Sequence, residues 1–258
     1  MEYAIQDVAQ IIGARTKALH DCTISILLTD SRRLSFPETS LFFALATKTN
    51  DGHRYVQDLY KLRVRNFVVS KMLPEFEQME EANFLLVKDV LAALQKLVAY
   101  HRKRFQIPVI GITGSNGKTV VKEFLYQLLH NEFDIVRSPR SYNSQIGVPL
   151  SVWEMNEKNT LGIFEAGISQ PDEMEKLQPI IAPTIGVLTS IGEAHQENFI
   201  SVNQKCLEKL MLFNESEAII YDGDNPLIST LIESACLSHK AIAWSRTDRE
   251  ASSFYRVD

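Results

Sequence analysis

The rhythm of apolar positions along the chain changes near Pro108. Before it, the elements are short and mixed. Ile5, Val8, Ile11 and Ile12 share one face of a helix expected over 5–12. Apolar runs at 24–28 and 41–45 read as strands on either side of the turn-prone Ser35-Phe36-Pro37-Glu38. A helix over 55–62, strands over 67–70 and 84–87, and a helix from Val90 to about Arg104 follow. Phe42 and Phe43 lie inside a strand and read as core. After Pro108 the order becomes regular. Strands are expected over 109–113, 163–166, 185–190, 218–221 and 241–244. Helices fall between them, one ending near His130 and others over 172–180, 201–213 and 226–235. Such alternation predicts a mostly parallel sheet covered on both faces. The expected fold class is α/β, with a small mixed α/β domain over 1–105 and a parallel-sheet domain over 106–258. Ligands of such sheets bind at the carboxyl ends of the strands.

Composition narrows the function classes. A hydrophobic share of 45% and a charged share of 23% fit folded domains and exclude a disordered chain. The net charge of −5 provides no electrostatic footprint for nucleic acid. The densest basic stretch, His101 to Arg104, ends an expected helix, where cations suit the dipole. The cysteines Cys22, Cys206 and Cys236 are odd in number and far apart, which fits neither a disulfide framework nor a zinc knuckle. Met1-Glu2-Tyr3 lacks the basic start of a signal peptide, and no apolar run approaches the roughly 18 residues of a membrane span. A cytoplasmic protein is expected.

Gly114-Ser115-Asn116-Gly117-Lys118-Thr119 lies between an expected strand and an expected helix. Glycines there let backbone N–H groups close around phosphate oxygens, and the helix N-terminus adds its positive dipole end. Lys118 would reach the β- and γ-phosphates of ATP, and the Thr119 hydroxyl would hold Mg²⁺. The spacing departs from the common Walker pattern, since Ile112 stands where that pattern has its first glycine and Gly111 is one place too early.

Thr113-Gly114-Ser115-Asn116-Gly117-Lys118-Thr119 resembles the phosphate loop of the Mur ligase family. Later segments resemble the same family in the expected order: Asn143-Ser144-Gln145-Ile146-Gly147-Val148-Pro149, then Glu165-Ala166-Gly167-Ile168-Ser169 with Glu173, then Gly192-Glu193-Ala194-His195-Gln196-Glu197. These are similar to the branch that joins D-alanyl-D-alanine to UDP-N-acetylmuramoyl-tripeptide. Near the N-terminus, Asp30-Ser31-Arg32, Leu41 to Leu45 and Asp51-Gly52-His53 resemble the uridine-nucleotide domain of these ligases.

The resemblance implies a UDP-muramoyl-precursor-binding domain over 1–105 and a P-loop-type central ATPase domain over 106–258. It implies ATP and Mg²⁺ as cofactors, and UDP-N-acetylmuramoyl-tripeptide and D-alanyl-D-alanine as substrates. The reaction would pass through an acyl phosphate, which asks a protein mainly for positioning and charge neutralisation. Glu165 ends a strand at the ligand crevice, so position and family both suggest a Mg²⁺ role; His195 matches the family's metal-binding histidine. A family lysine carbamylated by CO₂ would bridge two metal ions. Lys205 and Lys209 compete for that position, and Lys209 has the family spacing, 14 residues after His195 and four before Phe213. The carbamate requires an un-ionised amine, hence burial. Asn143 is placed on the substrate side of the phosphate loop, with a turn-forming Asn as the alternative. Asp222 and Asn225, in Tyr221-Asp222-Gly223-Asp224-Asn225, resemble the adenosine contact, although Asp222 replaces the usual Asn. Ser31 and Arg32 match residues that hold the uridine nucleotide; a surface turn is the alternative reading.

These ligases normally carry a third domain, which is expected to be absent here, and the central domain reads as truncated. A piece of a longer chain, fused to further domains, is the expected context. Competing readings are a related ligase adding a single amino acid, a non-catalytic nucleotide-binding module, and a generic P-loop ATPase.

Overall fold

Alternating short elements open the computed structural model, which describes residues 1–17, 19–47, 49–192, 198–248 and 251–254. They are β1 (Tyr3–Ala4), α1 (Ile5–Ile12), β2 (Thr23–Ile24), β3 (Ile26–Leu28), β4 (Ser40–Phe43), α2 (Val56–Lys61), β5 (Asn66–Val69), β6 (Asn83–Leu86) and α3 (Val90–Arg102). The run expected as one strand over 24–28 is two. Ile24 pairs antiparallel with Tyr3, whereas Ile26 pairs parallel with Ser40, and the Ser25 N–H between them donates to Thr39 O at 3.0 Å. β3, β4, β5 and β6 form one sheet in that order, parallel throughout. Its core gathers Leu28, Phe42, Val56, Leu59 and Phe67, while Phe84 stacks between Phe67 and Phe76 at centroid distances of 5.4 and 5.1 Å. On α1, Ile5, Val8, Ala9 and Ile12 are buried and Ile11 is half-exposed, a narrower face than the sequence suggests.

The chain divides into two compact units, Met1–Tyr100 and His101–Asp258, with the division inside α3. The second unit contains β7 (Val109–Thr113), α4 (Lys118–Leu129), β8 (Ile135–Arg137), α5 (Gly147–Trp153), β9 (Leu161–Glu165), α6 (Met174–Ile181) and β10 (Ile185–Leu188). It continues with α7 (Val202–Leu210), β11 (Ala218–Asp222), α8 (Pro226–Ser234), β12 (Ala241–Ser245) and β13 (Ser253–Phe254). The strands form a seven-stranded sheet in the order β13-β12-β11-β10-β7-β9-β8, and every pair is parallel. After β7 the chain moves to one edge of the sheet, returns to β9, and then crosses to β10 on the opposite flank. β7 therefore lies at the topological switch point, where a crevice opens above the carboxyl ends. Among the described residues no helix is long and apolar enough to cross a membrane.

The basic stretch at 101–104 does more than end a helix. Arg102 is buried and donates to Ile181 O at 2.8 Å, Ala182 O at 3.0 Å and Phe105 O at 2.7 Å, so it satisfies carbonyls at the end of α6. His101 is buried against Trp153 and Phe105, its Nε2 3.1 Å from Met155 O. Burial pushes its pKa down to about 4. Unfolded, the imidazole titrates near 6.5, so the unfolded chain binds the extra proton first. Stability should fall as pH drops from about 6.5 through 4, by at most about 3 kcal/mol. His101→Gln, which cannot titrate, should flatten this acid limb in urea unfolding followed by circular dichroism. An unchanged limb would show that His101 does not produce it.

Candidate functional site

β7 is buried along its whole length and delivers Gly114 into the crevice between β9 and β10. Gly114 has φ +148° and Gly117 φ +83°, backbone conformations that favour glycine. A Cβ on Gly114 would overlap Thr189 Oγ1 and lie 2.9 Å from Ser190 N and O. That close approach has a purpose, because the segment after β10 latches the loop. Ser115 N donates to Ser190 O at 2.7 Å, Asn116 N to Ser190 Oγ at 3.2 Å, and Gly192 N to Ser115 Oγ at 2.9 Å; Thr189 Oγ1 donates to Asn116 O. α4 starts at Lys118 with no side-chain cap, so its first-turn N–H groups face the crevice as anion donors.

Lys118 folds back over the loop and donates to Gly114 O at 2.8 Å; burial lowers its pKa, opposed by the Glu165 charge. Thr119 Oγ1 donates to Glu165 Oε2 at 3.0 Å and lies 3.2 Å from Ser141 Oγ. Glu165, fully buried at the end of β9, receives Asn143 Nδ2 on the same oxygen at 3.5 Å. Asn143 is fixed through its backbone, since its carbonyl accepts from Gly167 N at 2.8 Å. The Thr119 hydroxyl and Glu165 carboxylate are hard oxygen donors, the kind Mg²⁺ takes. The donor set therefore fits that ion.

Lys209, on α7, is 3% exposed and points its Nζ at Gly114 O, 3.3 Å away. Burial first, then the Lys118 and Lys205 charges, push its pKa down to about 8. Lys205 is equally buried and donates to Gly192 O. Residues 193–197, and with them His195, lie outside the described residues. Asp222 ends β11 and Asn225 follows it, at the same sheet edge, and both carry local roles. Asp222 Oδ1 accepts from Asp224 N at 3.1 Å, and Asn225 Oδ1 caps α8 through Leu227 N at 3.1 Å and Ile228 N at 3.3 Å. Asp224 clasps the turn after β12 through Ser245 Oγ, Thr247 Oγ1 and Arg246 N. Ser31 and Arg32 belong to the first unit, in a 3-10 turn at the carboxyl end of β3. The Arg32 guanidinium is a well-exposed fork on Asp30, at 2.9 and 2.7 Å, and lowers that carboxyl to about 2.

Sequence reasoning missed several contributors. Lys122, fully buried, ion-pairs with Glu165 at 2.9 Å; its signal was its place one helical turn after Lys118. Thr189 and Ser190, a hydroxyl pair at the carboxyl end of β10, carried a weaker one.

Residues 112–256 match the model of the Mur ligase middle domain. The UDP-N-acetylmuramoyl-tripeptide–D-alanyl-D-alanine ligase of Bacillus subtilis is 32% identical over 229 residues, 87% of this chain and 49% of that protein. A crystal structure of MurF from Acinetobacter baumannii superposes with a TM-score of 0.86 at 24% identity, covering 96% of this chain and 54% of that one. The MurF ligase of Thermotoga maritima, solved in complex with ADP, gives 0.74 at 23% identity, over 86% of this chain and 51% of that one. The chain thus spans about half the length of the relatives it matches. With the family model covering more than half its residues, the chain belongs to the Mur ligase family.

Proposed function

We propose that this chain carries the nucleotide site and the muramoyl-precursor site of an ATP-dependent amide ligase, which joins D-alanyl-D-alanine to UDP-N-acetylmuramoyl-tripeptide in cell-wall precursor synthesis. The observation that carries the reading is the convergence of Lys118, Thr119, Glu165 and Asn143 on one crevice at the carboxyl edge of a Mur ligase sheet. The name of the Bacillus subtilis relative favours the dipeptide as acceptor over a single amino acid.

In this reading Gly114 to Thr119 and the first turn of α4 hold the phosphates of ATP, and Lys118 swings from Gly114 O to the β- and γ-phosphates. Mg²⁺, when bound, neutralises phosphate charge and polarises the transferred group; Thr119, Glu165 and His195 would hold it. The tripeptide carboxylate attacks the γ-phosphorus, ADP leaves, and the amine of the dipeptide then displaces phosphate from the acyl phosphate. Asn143 serves the substrate side of the phosphate loop, beside Glu165 Oε2. Asp222 and Asn225 sit where the adenosine would end, two strands away from β7. Lys209 is preferred over Lys205 as the carbamate carrier. Burial and two neighbouring lysines favour its neutral amine, which forms an N–C bond to CO₂ and gives up a proton. The product would replace one of three clustered positive charges by a negative one. The first unit supplies the precursor site, with Ser31 and Arg32 at the uridine diphosphate.

The division of labour is tested by incubating the chain with ATP, Mg²⁺, UDP-N-acetylmuramoyl-tripeptide and D-alanyl-D-alanine, and following the amide by mass spectrometry. Binding of both ligands without amide formation is expected. Robust ligation by residues 1–258 would overturn that expectation.

A further inference from the structure

α4 contains a lysine that no phosphate-loop pattern requires. Lys122 has no exposed surface, and burying an ammonium is strongly unfavourable unless it is paired. Its Nζ donates to Ser138 O at 2.8 Å and to Arg140 O, and lies 2.9 Å from Glu165 Oε1 and 3.2 Å from Glu123 Oε1. The contact with Glu165 is an ion pair without hydrogen-bond geometry, and Oε1 has no hydrogen-bond donor among the described residues. The two oxygens of Glu165 are therefore treated differently. Oε1 is held by charge from α4, while Oε2 sits with the Thr119 hydroxyl and the Asn143 amide. A buried ion pair is a poor device for stability, because an apolar pair of similar volume serves as well. Its position against a carboxylate at the phosphate loop calls for another reason.

We infer that Lys122 is a positioning residue for the divalent cation of the nucleotide: it pins Glu165 Oε1 so that Oε2, beside Thr119 Oγ1, is presented to the ion. This rests on the reading of the crevice as a Mg²⁺–nucleotide site. Partners that orient a metal-binding side chain are worth about 10- to 100-fold in metal affinity. The sign is informative, because the charge of Lys122 by itself repels a cation. Were charge the whole effect, removing the lysine would tighten Mg²⁺ binding.

The test is calorimetric titration of the whole chain with ADP, in EDTA and across a Mg²⁺ series, for wild type, Lys122→Met, Glu165→Gln and the double variant. Lys122→Met should leave metal-free ADP affinity within about twofold and raise the Mg²⁺ concentration needed for half-maximal enhancement about tenfold. Glu165→Gln should shift it similarly, and the double variant no further, because Lys122 acts through Glu165. An unchanged or lowered Mg²⁺ midpoint in Lys122→Met would overturn the inference, as would full additivity in the double variant. Should Lys122→Met fail to fold, Glu165→Gln against the double variant decides the matter, since there the buried pair is removed together. Equal midpoints support the inference and a further tenfold weakening overturns it. If wild type binds ADP with Mg²⁺ enhancement and Lys122→Met does the same, the inference alone fails; if wild type binds no ADP, the nucleotide reading fails with it.

Discussion

Gly114→Ala should destabilise the chain by about 3 kcal/mol, whereas Gly117→Ala should cost only about 1 kcal/mol. Both glycines have positive φ, but they differ in what surrounds them. A methyl group on Gly114 would overlap the Thr189 hydroxyl and press on Ser190 N and O at 2.9 Å, while on Gly117 its nearest neighbour would be Thr189 Cβ at 3.7 Å. At Gly117 only the left-handed backbone is penalised. At Gly114 the methyl must also push apart the latch between the phosphate loop and the segment after β10. The displaced loop no longer aims its N–H groups at one point, so Gly114→Ala should also weaken nucleotide binding about 100-fold, the equivalent of about 3 kcal/mol. Urea midpoints and ADP titrations of the two variants check this. Equal losses at the two positions would mean that the latch does not hold the loop.

Lys209→Met should make the chain more stable at neutral pH, by about 2 kcal/mol. The buried ammonium has its pKa pushed from 10.5 down to about 8, so its charged form is disfavoured in the folded state by about 3 kcal/mol. Methionine fills a similar volume without charge, and the lost hydrogen bond to Gly114 O offsets about 1 kcal/mol. The pH dependence has a definite sign. Below pH 8 both folded and unfolded wild type are protonated at this lysine and the full penalty stands. From pH 8 to 10.5 the folded chain gives up the proton before the unfolded one, so wild type gains stability and the advantage of the variant fades. Melting curves at pH 7 and pH 10, in CO₂-free buffer, check the crossover. In ¹³C-bicarbonate the wild type should gain a carbamate carbonyl resonance that Lys209→Met lacks and Lys205→Met retains. A signal lost only in Lys205→Met would reverse the choice between the two lysines.

The parallel sheet of the second unit was legible because its strands are short apolar runs separated by amphipathic helices. The helix α5 was not: Gly147 and Pro149 are poor helix formers, yet proline is tolerated in a first helical turn, where its missing N–H has no intrahelical partner to lose. β8, three residues with only Val136 buried, left too little pattern to read. Ser25 hides the switch from antiparallel to parallel pairing, which depends on Tyr3 and Ser40, each distant in sequence. At the crevice, Lys118, Thr119 and Glu165 stand out by motif, but Lys122 does not. A lysine inside a helix ordinarily reaches solvent, and this one is buried against Ser138 O, Arg140 O and Glu165, the last 43 residues later on strand β9. Asp222 and Asn225 show the opposite situation. The motif is visible, while the structure gives both side chains a local turn or cap to serve.

The central claim is that two separate sites, one in each unit, bind nucleotide and muramoyl precursor. The most direct measurement is a pair of calorimetric titrations of the chain, one with a non-hydrolysable ATP analogue plus Mg²⁺ and one with UDP-N-acetylmuramoyl-tripeptide, repeated for Lys118→Ala and Ser31→Ala. The account predicts that Lys118→Ala weakens the nucleotide alone, by about 10- to 100-fold, as expected for a charge-assisted contact. It predicts that Ser31→Ala weakens the precursor alone, by about fivefold, the scale of one neutral hydrogen bond. Loss of neither ligand in its cognate variant, or loss of both in one, would contradict it.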